Sequence, residues 1–126
     1  MGNELTQAQQ KKLFEPLIIR KKVLKNRIFS TGHMAVMLKE GCPTESMIAY
    51  HEAKAKGGAA LTIIEAARVH PSGDSGRPAI RAYDPSCISG YKKLTTACHR
   101  YDCLVFAQLT HPGREMADLK DGTSPV

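Results

Sequence analysis

Apolar positions fall in short blocks along this chain, and their spacing changes from one block to the next. Residues 13–24 hold two apolar runs flanking Arg20-Lys21-Lys22, the pattern of a hairpin. Residues 27–30 predict a short strand running into Thr31-Gly32-His33-Met34. Past Gly41 and Pro43, Thr44 suits an N-cap and Glu45 the first helical turn. The helix that follows, through Lys56, would turn Met47, Ile48, Tyr50 and Ala55 to one side. Gly57-Gly58 would end it by supplying a left-handed residue. Residues 59–64 are nearly all apolar, as in a parallel strand covered on both faces. A Gly/Pro/Ser-rich loop spans residues 70–78, after which Asp84 and Pro85 read as the N-cap and first residue of a second helix. Ile88, Tyr91, Leu94 and Cys98 form its apolar stripe, and residues 103–107 make a last buried strand ending at Gln108.

Strands alternating with helices imply a parallel sheet joined by right-handed crossovers. A doubly wound sheet and a piece of a (β/α) barrel both satisfy that order. A nucleotide-binding doubly wound unit usually carries a Gly-rich turn after its first strand. Thr31-Gly32-His33-Met34 is not G-x-G-x-x-G, which favours the barrel. In either architecture ligands meet the C-terminal strand ends. Those ends carry Thr31 to Met34, Glu65 to Arg68, and Gln108 to His111, each polar group directly after an apolar run. Singly, each has a plainer role: Gln108 satisfying loop backbone, His111 capping or packing, Glu65 pairing with Arg68 or Arg114.

Composition narrows the class. The 126 residues, 42% hydrophobic and 24% charged, suit one soluble domain. No apolar run is long enough for a membrane span. The opening Met-Gly-Asn-Glu-Leu-Thr fits a short acylation pattern of the kind that chance produces often, and a cytoplasmic protein is the expectation. The net charge of +6 raises nucleic acid as a partner. However, the basic residues between Lys11 and Arg27 are interleaved with Leu13, Phe14, Leu17, Ile18, Ile19, Val23 and Leu24 and with no base-stacking platform, so no nucleic-acid partner is expected. Cys42, Cys87, Cys98 and Cys103 show neither C-x-x-C nor zinc-site spacing. They are expected to be reduced and packed as small hydrophobes, with no metal site.

Four segments in order carry a resemblance: Leu13-Phe14-Glu15-Pro16-Leu17 with Leu24-Lys25-Asn26-Arg27-Ile28; PTESMIAYHEAKAKGGAALTIIEAARVHPSG (residues 43–73); AQLTHPGRE (residues 107–115); and the closing DGTSPV. Over residues 13–126 the chain resembles the N-terminal portion of Old Yellow Enzyme family oxidoreductases, in the branch near 2,4-dienoyl-CoA reductase and trimethylamine dehydrogenase. That resemblance implies an incomplete (β/α)8 TIM barrel, its first three strands and two helices preceded by a hairpin that closes the bottom. Residues 1–126 would then form the N-terminal part of one FMN-binding domain. It implies FMN across the strand ends, with Thr31, Gly32, His33 and Met34 touching the ring from the first strand. Ala66 would contact the ring through its backbone, and Gln108 would bond its pyrimidine edge, where an amide can both donate and accept. Gly32 stands where many members have Pro, and Met34 near where many have Thr or Cys.

The implied reaction passes hydride from NAD(P)H through FMN to an electron-poor alkene, a small-molecule substrate. Catalytic residues are expected beyond Val126, as are any iron–sulfur cluster and additional domains. These 126 residues alone are expected to be inactive, and the full-length protein is a candidate homo-oligomer. The rival reading is a non-catalytic remnant or a partner-binding piece of such a barrel.

Overall fold

The structure is a computed structural model and describes residues 6–113. A short helix α1 (Gln7–Leu13) opens it, which the apolar pattern did not predict. The antiparallel hairpin follows as β1 (Leu17–Ile19) and β2 (Lys22–Leu24), turning at Arg20 with φ +52°. Leu17 faces Leu24 across the hairpin, and both pack with Ala60, Leu61 and Leu104 at the start of the main strands. Asn26 secures this end: Nδ2 donates to the Gly58 carbonyl at 2.9 Å, and Oδ1 accepts from the Ile28 amide at 2.9 Å. The Lys25 ammonium donates to the Tyr101 carbonyl.

The main sheet is parallel and centres on β6 (Leu61–Arg68). One edge of β6 pairs along its length with β8 (Leu104–Thr110). Its other edge takes β3 (Phe29–Ser30) at Leu61 and Thr62, then β7 (Ile80–Arg81) at Ala67 and Arg68. Strands β6 and β8 run several residues past the predicted apolar blocks, because the ladder continues after the apolar run stops. Between β3 and β6 lie a hairpin of β4 (Leu38–Lys39) and β5 (Cys42–Pro43) and the helix α2 (Glu45–Lys56).

Thr44 caps α2 as predicted, its hydroxyl accepting from the Met47 amide while donating to the Met37 carbonyl at 2.7 Å. Two details of α2 differ from the pattern. His51, not Tyr50, joins Met47, Ile48 and Ala55 on the buried side. The left-handed residue at the helix end is Gly58 (φ +103°), while Gly57 stays right-handed. Asp84 and Pro85 start a 3₁₀ turn, Asp84 accepting from the Ser86 amide at 2.8 Å. The turn runs into α3 (Ile88–His99). Gly90, Leu94, Ala97 and Cys98 form the buried side of α3, while Ile88 is exposed. The main core lies between the helices and the sheet: Met47, Ile48 and Ala55 from α2, Ile64 and Ala67 from β6, Leu94 and Cys98 from α3.

The expectation of four reduced cysteines is corrected for two. Cys42 and Cys87 are joined as a disulfide between β5 and the turn before α3. The absence of a C-x-x-C motif carried no information about partners 45 residues apart. Cys98 and Cys103 are free and buried.

Candidate functional site

Three of the singled-out residues converge at the C-terminal part of the sheet. Ala66 and Gln108 are cross-strand partners in the β6–β8 register. Gly32, two residues past β3, meets the same amide: a Cβ built on it would lie 2.5 Å from Gln108 Oε1 and 3.4 Å from the Ile64 carbonyl oxygen. A side chain at residue 32 would have to push the Gln108 amide aside. Gln108 is exposed, and among the described residues nothing hydrogen-bonds its side-chain amide, so its donor and acceptor atoms are open. Ala66, half-buried beside it, adds no bulk.

Thr31, His33 and Met34 lie on the same loop as Gly32. His33 turns toward α2, its Nδ1 3.1 Å from the Tyr50 hydroxyl, while the Lys54 ammonium lies 4.0 Å over the Tyr50 ring and donates to Ser30 Oγ. Thr31 is exposed, and Met34 is 54% exposed at the loop surface.

Glu65 is the extra residue of a bulge: Ile64 pairs with Ala107 and Ala66 with Gln108, leaving Glu65 between them. A bulge re-aims its side chain. The Glu65 carboxylate is buried, and Oε2 accepts from the amides of Ala35 at 2.7 Å and Val36 at 3.2 Å. This replaces the expected pairing with Arg68, whose guanidinium instead donates to Ser75 Oγ at 3.4 Å. Arg114, the other partner considered, lies outside the described residues.

His111 hydrogen-bonds on both sides of its ring. Its Nδ1 accepts from the Gly113 amide at 2.9 Å, which places the proton on Nε2 and directs it to Ser72 Oγ at 3.0 Å. The loop after β8 is thereby tied to the loop after β6.

Several groups were not visible in the pattern. Asp74 binds Arg81 (2.8 Å) and the Tyr83 hydroxyl. Burial raises its carboxyl, but the Gly76 amide, Arg81 and Tyr83 outweigh that and hold it below the usual carboxylate range. A cleft of about 280 Å³ opens between this group and the β4–β5 hairpin, bordered by Val36, Gly41 and Arg77. His51 is buried with Nδ1 2.7 Å from Thr62 Oγ1 and Nε2 without a partner among the described residues. Burial, then the nearby Lys54 charge, push its pKa down to about 4. The Cys98 thiol is pushed up to about 11 by burial, with Cys103 and Glu52 adding to the rise. It is therefore no ready nucleophile. Among the described residues no group of His, Cys, Asp or Glu could hold a metal ion, and no helix is long and apolar enough to cross a membrane.

This geometry has relatives. The chain is 30% identical over 122 residues to a 4,4'-dithiodibutanoate disulfide reductase of Rhodococcus erythropolis, covering 97% of this chain and 30% of that one. It is 30% identical over 111 residues to a multifunctional alkene reductase/demethylase of Caballeronia cordobensis, covering 87% of this chain and 16% of that one. The fold superposes on the Old Yellow Enzyme of Trypanosoma cruzi with a TM-score of 0.74 at 30% identity, over 82% of this chain and 28% of that one. The chain thus spans less than a third of these proteins. FMN is the family's cofactor, with NADH or NADPH as reductant. Residues 12–125 match the NADH:flavin oxidoreductase / NADH oxidase family, and the chain belongs to it.

Proposed function

We propose that the complete polypeptide carrying this chain is an FMN-dependent oxidoreductase of the ene-reductase type, and that residues 1–126 are the N-terminal part of its FMN-binding domain. In this reading β3, β6 and β8 are the first three strands of a (β/α)8 barrel, with the β1–β2 hairpin closing its bottom. The observation that carries the reading is the meeting of Gly32, Ala66 and Gln108 at one place on the sheet.

The residues present fit a flavin ring edge. The pyrimidine edge alternates carbonyl and N–H groups, and the open Gln108 amide can answer both. Ala66 on β6 and Gly32 in the loop after β3 let backbone approach a flat ring. Thr31 and Met34 extend the contact along the loop, and the backbone at His33 joins them while its imidazole is held by Tyr50. Bound there, FMN supplies hydride transfer from NAD(P)H to an electron-poor alkene. The chain's own residues position the ring, and polar groups at its edge tune it. Groups that hold the phosphate and donate the proton belong to the rest of the barrel, as do the contacts that choose the small-molecule substrate. The likeness to an alkene reductase supports this substrate class.

The test is to purify the complete polypeptide, add FMN, and follow nicotinamide absorbance with an activated enone. A yellow protein that oxidises NADPH in the presence of the enone supports the reading. A folded protein that stays colourless with excess FMN overturns it.

A further inference from the structure

The loop after β3 is held at two points by the neighbouring strands. Near its start, Gly32 lies against the Gln108 amide and the Ile64 carbonyl. At its far end the holding group is Glu65, whose carboxylate is 1% exposed and sits at the β6 bulge. Oε2 takes the amides of two successive residues, Ala35 and Val36. Val36 has φ +55°, an uncommon conformation for a β-branched residue. Successive amides turned inward by a left-handed residue make a concave anion-binding turn, and the carboxylate fills this one. The second oxygen, Oε1, is also buried and has no partner among the described residues.

Burying a carboxyl is costly, and hydrogen bonds to the turn are the only compensation the described residues offer. The bulge makes the arrangement possible. In a regular strand, residue 65 would take its place in the ladder with β8, and its side chain would follow the alternation of the pleat. Here it is left out of the ladder and reaches across to the loop.

We infer that Glu65 is a positioning residue for the flavin: by clamping Ala35 and Val36 it fixes the loop whose earlier residues, Thr31 to Met34, are proposed to meet the ring. This rests on the flavin reading above. Glu65 touches no ring atom in it and acts through the loop.

The experiment compares wild type, Glu65→Gln, Glu65→Ala and Glu65→Asp in the complete polypeptide, reading FMN affinity and the visible circular dichroism of the bound flavin. Glu65→Gln keeps an oxygen for both amides and should hold Kd within about threefold of wild type with an unchanged band. Glu65→Ala releases the loop and should raise Kd about tenfold or more, with a shifted band. If Glu65→Ala does not fold, Glu65→Asp, one methylene shorter, should fall between those two. Wild-type Kd and band in the folded Ala variant, or in Asp where Ala is unfolded, would overturn the inference and leave the flavin reading standing. A wild type that binds no FMN removes the flavin reading and the positioning role with it. Amide hydrogen exchange at Ala35 and Val36 then shows whether the clamp itself is real: faster in Glu65→Ala or Glu65→Asp if it is, unchanged if it is not.

Discussion

The side-chain oxygen of Gln108 occupies the space a Cβ on residue 32 would need: the distance from that built Cβ is 2.5 Å. The two residues are 76 positions apart, one in the loop after β3 and the other on β8, so their fit depends on the whole intervening fold.

Gly32→Ala should therefore displace the Gln108 amide without unfolding the protein, since the end of an exposed side chain can move aside. If both act on the same ligand edge, their effects on FMN affinity should not add. Each single variant should weaken binding by about tenfold, and the double variant by little more than either, giving a coupling of roughly 1 kcal/mol in a double-mutant cycle. Strict additivity would separate the two residues functionally.

His51 makes stability depend on pH. Its folded pKa is lowered to about 4 from 6.5, so below pH 6.5 the unfolded chain takes up a proton that the folded one refuses. Stability should be fully retained above that pH and fall as pH drops toward 4, by roughly 3 kcal/mol at most. His51→Gln cannot titrate. Urea unfolding between pH 7 and 4.5 should show a flatter pH dependence in that variant than in wild type; equal slopes would show that the histidine is not buried neutral.

The Cys42–Cys87 bond closes a 45-residue separation and ties the β4–β5 hairpin to the start of α3. Chain-entropy reasoning assigns a loop of that size about 4 kcal/mol. Reduction with dithiothreitol, or Cys87→Ser, should lower the unfolding free energy substantially. Thiol titration of the native protein before reduction should find Cys98 and Cys103 protected, and an unchanged urea midpoint after reduction would contradict the bond's role.

Elements with strong local signals were legible in the sequence. The cap at Thr44, the glycine pair after Lys56, and the Asp84-Pro85 start each declare themselves within a few residues. The apolar block of β6 did so too, since that strand is buried along most of its length, whereas β8, expected to be buried, is half-buried at Leu104 and Val105 and exposed from Phe106 to Leu109. What was not legible depends on partners far apart in the chain. Nothing near residue 80 announces that Ile80 will pair with Ala67, and α1 is polar along most of its length. Glu65 looked like a strand-end acid because its role depends on a one-residue bulge, which shifts the alternation after Ile64. The apolar pattern puts Tyr50 on the buried side of α2, but the polar His51 is there instead, because residues 47, 48, 51 and 55 share one helical face. The candidate site residues rest on family resemblance, whereas the contact of Gly32 with Gln108 and the turning of His33 to Tyr50 needed coordinates.

The central claim is that Gln108 reads the flavin's pyrimidine edge. Its most direct test is an FMN titration of the complete polypeptide against its Gln108→Ala variant, with the flavin reduction potential measured in both. The account predicts that wild type binds FMN, and that the variant loses about tenfold in affinity, or shifts in potential, as expected for one hydrogen bond between neutral groups. A variant with the wild-type Kd and the wild-type potential would contradict it.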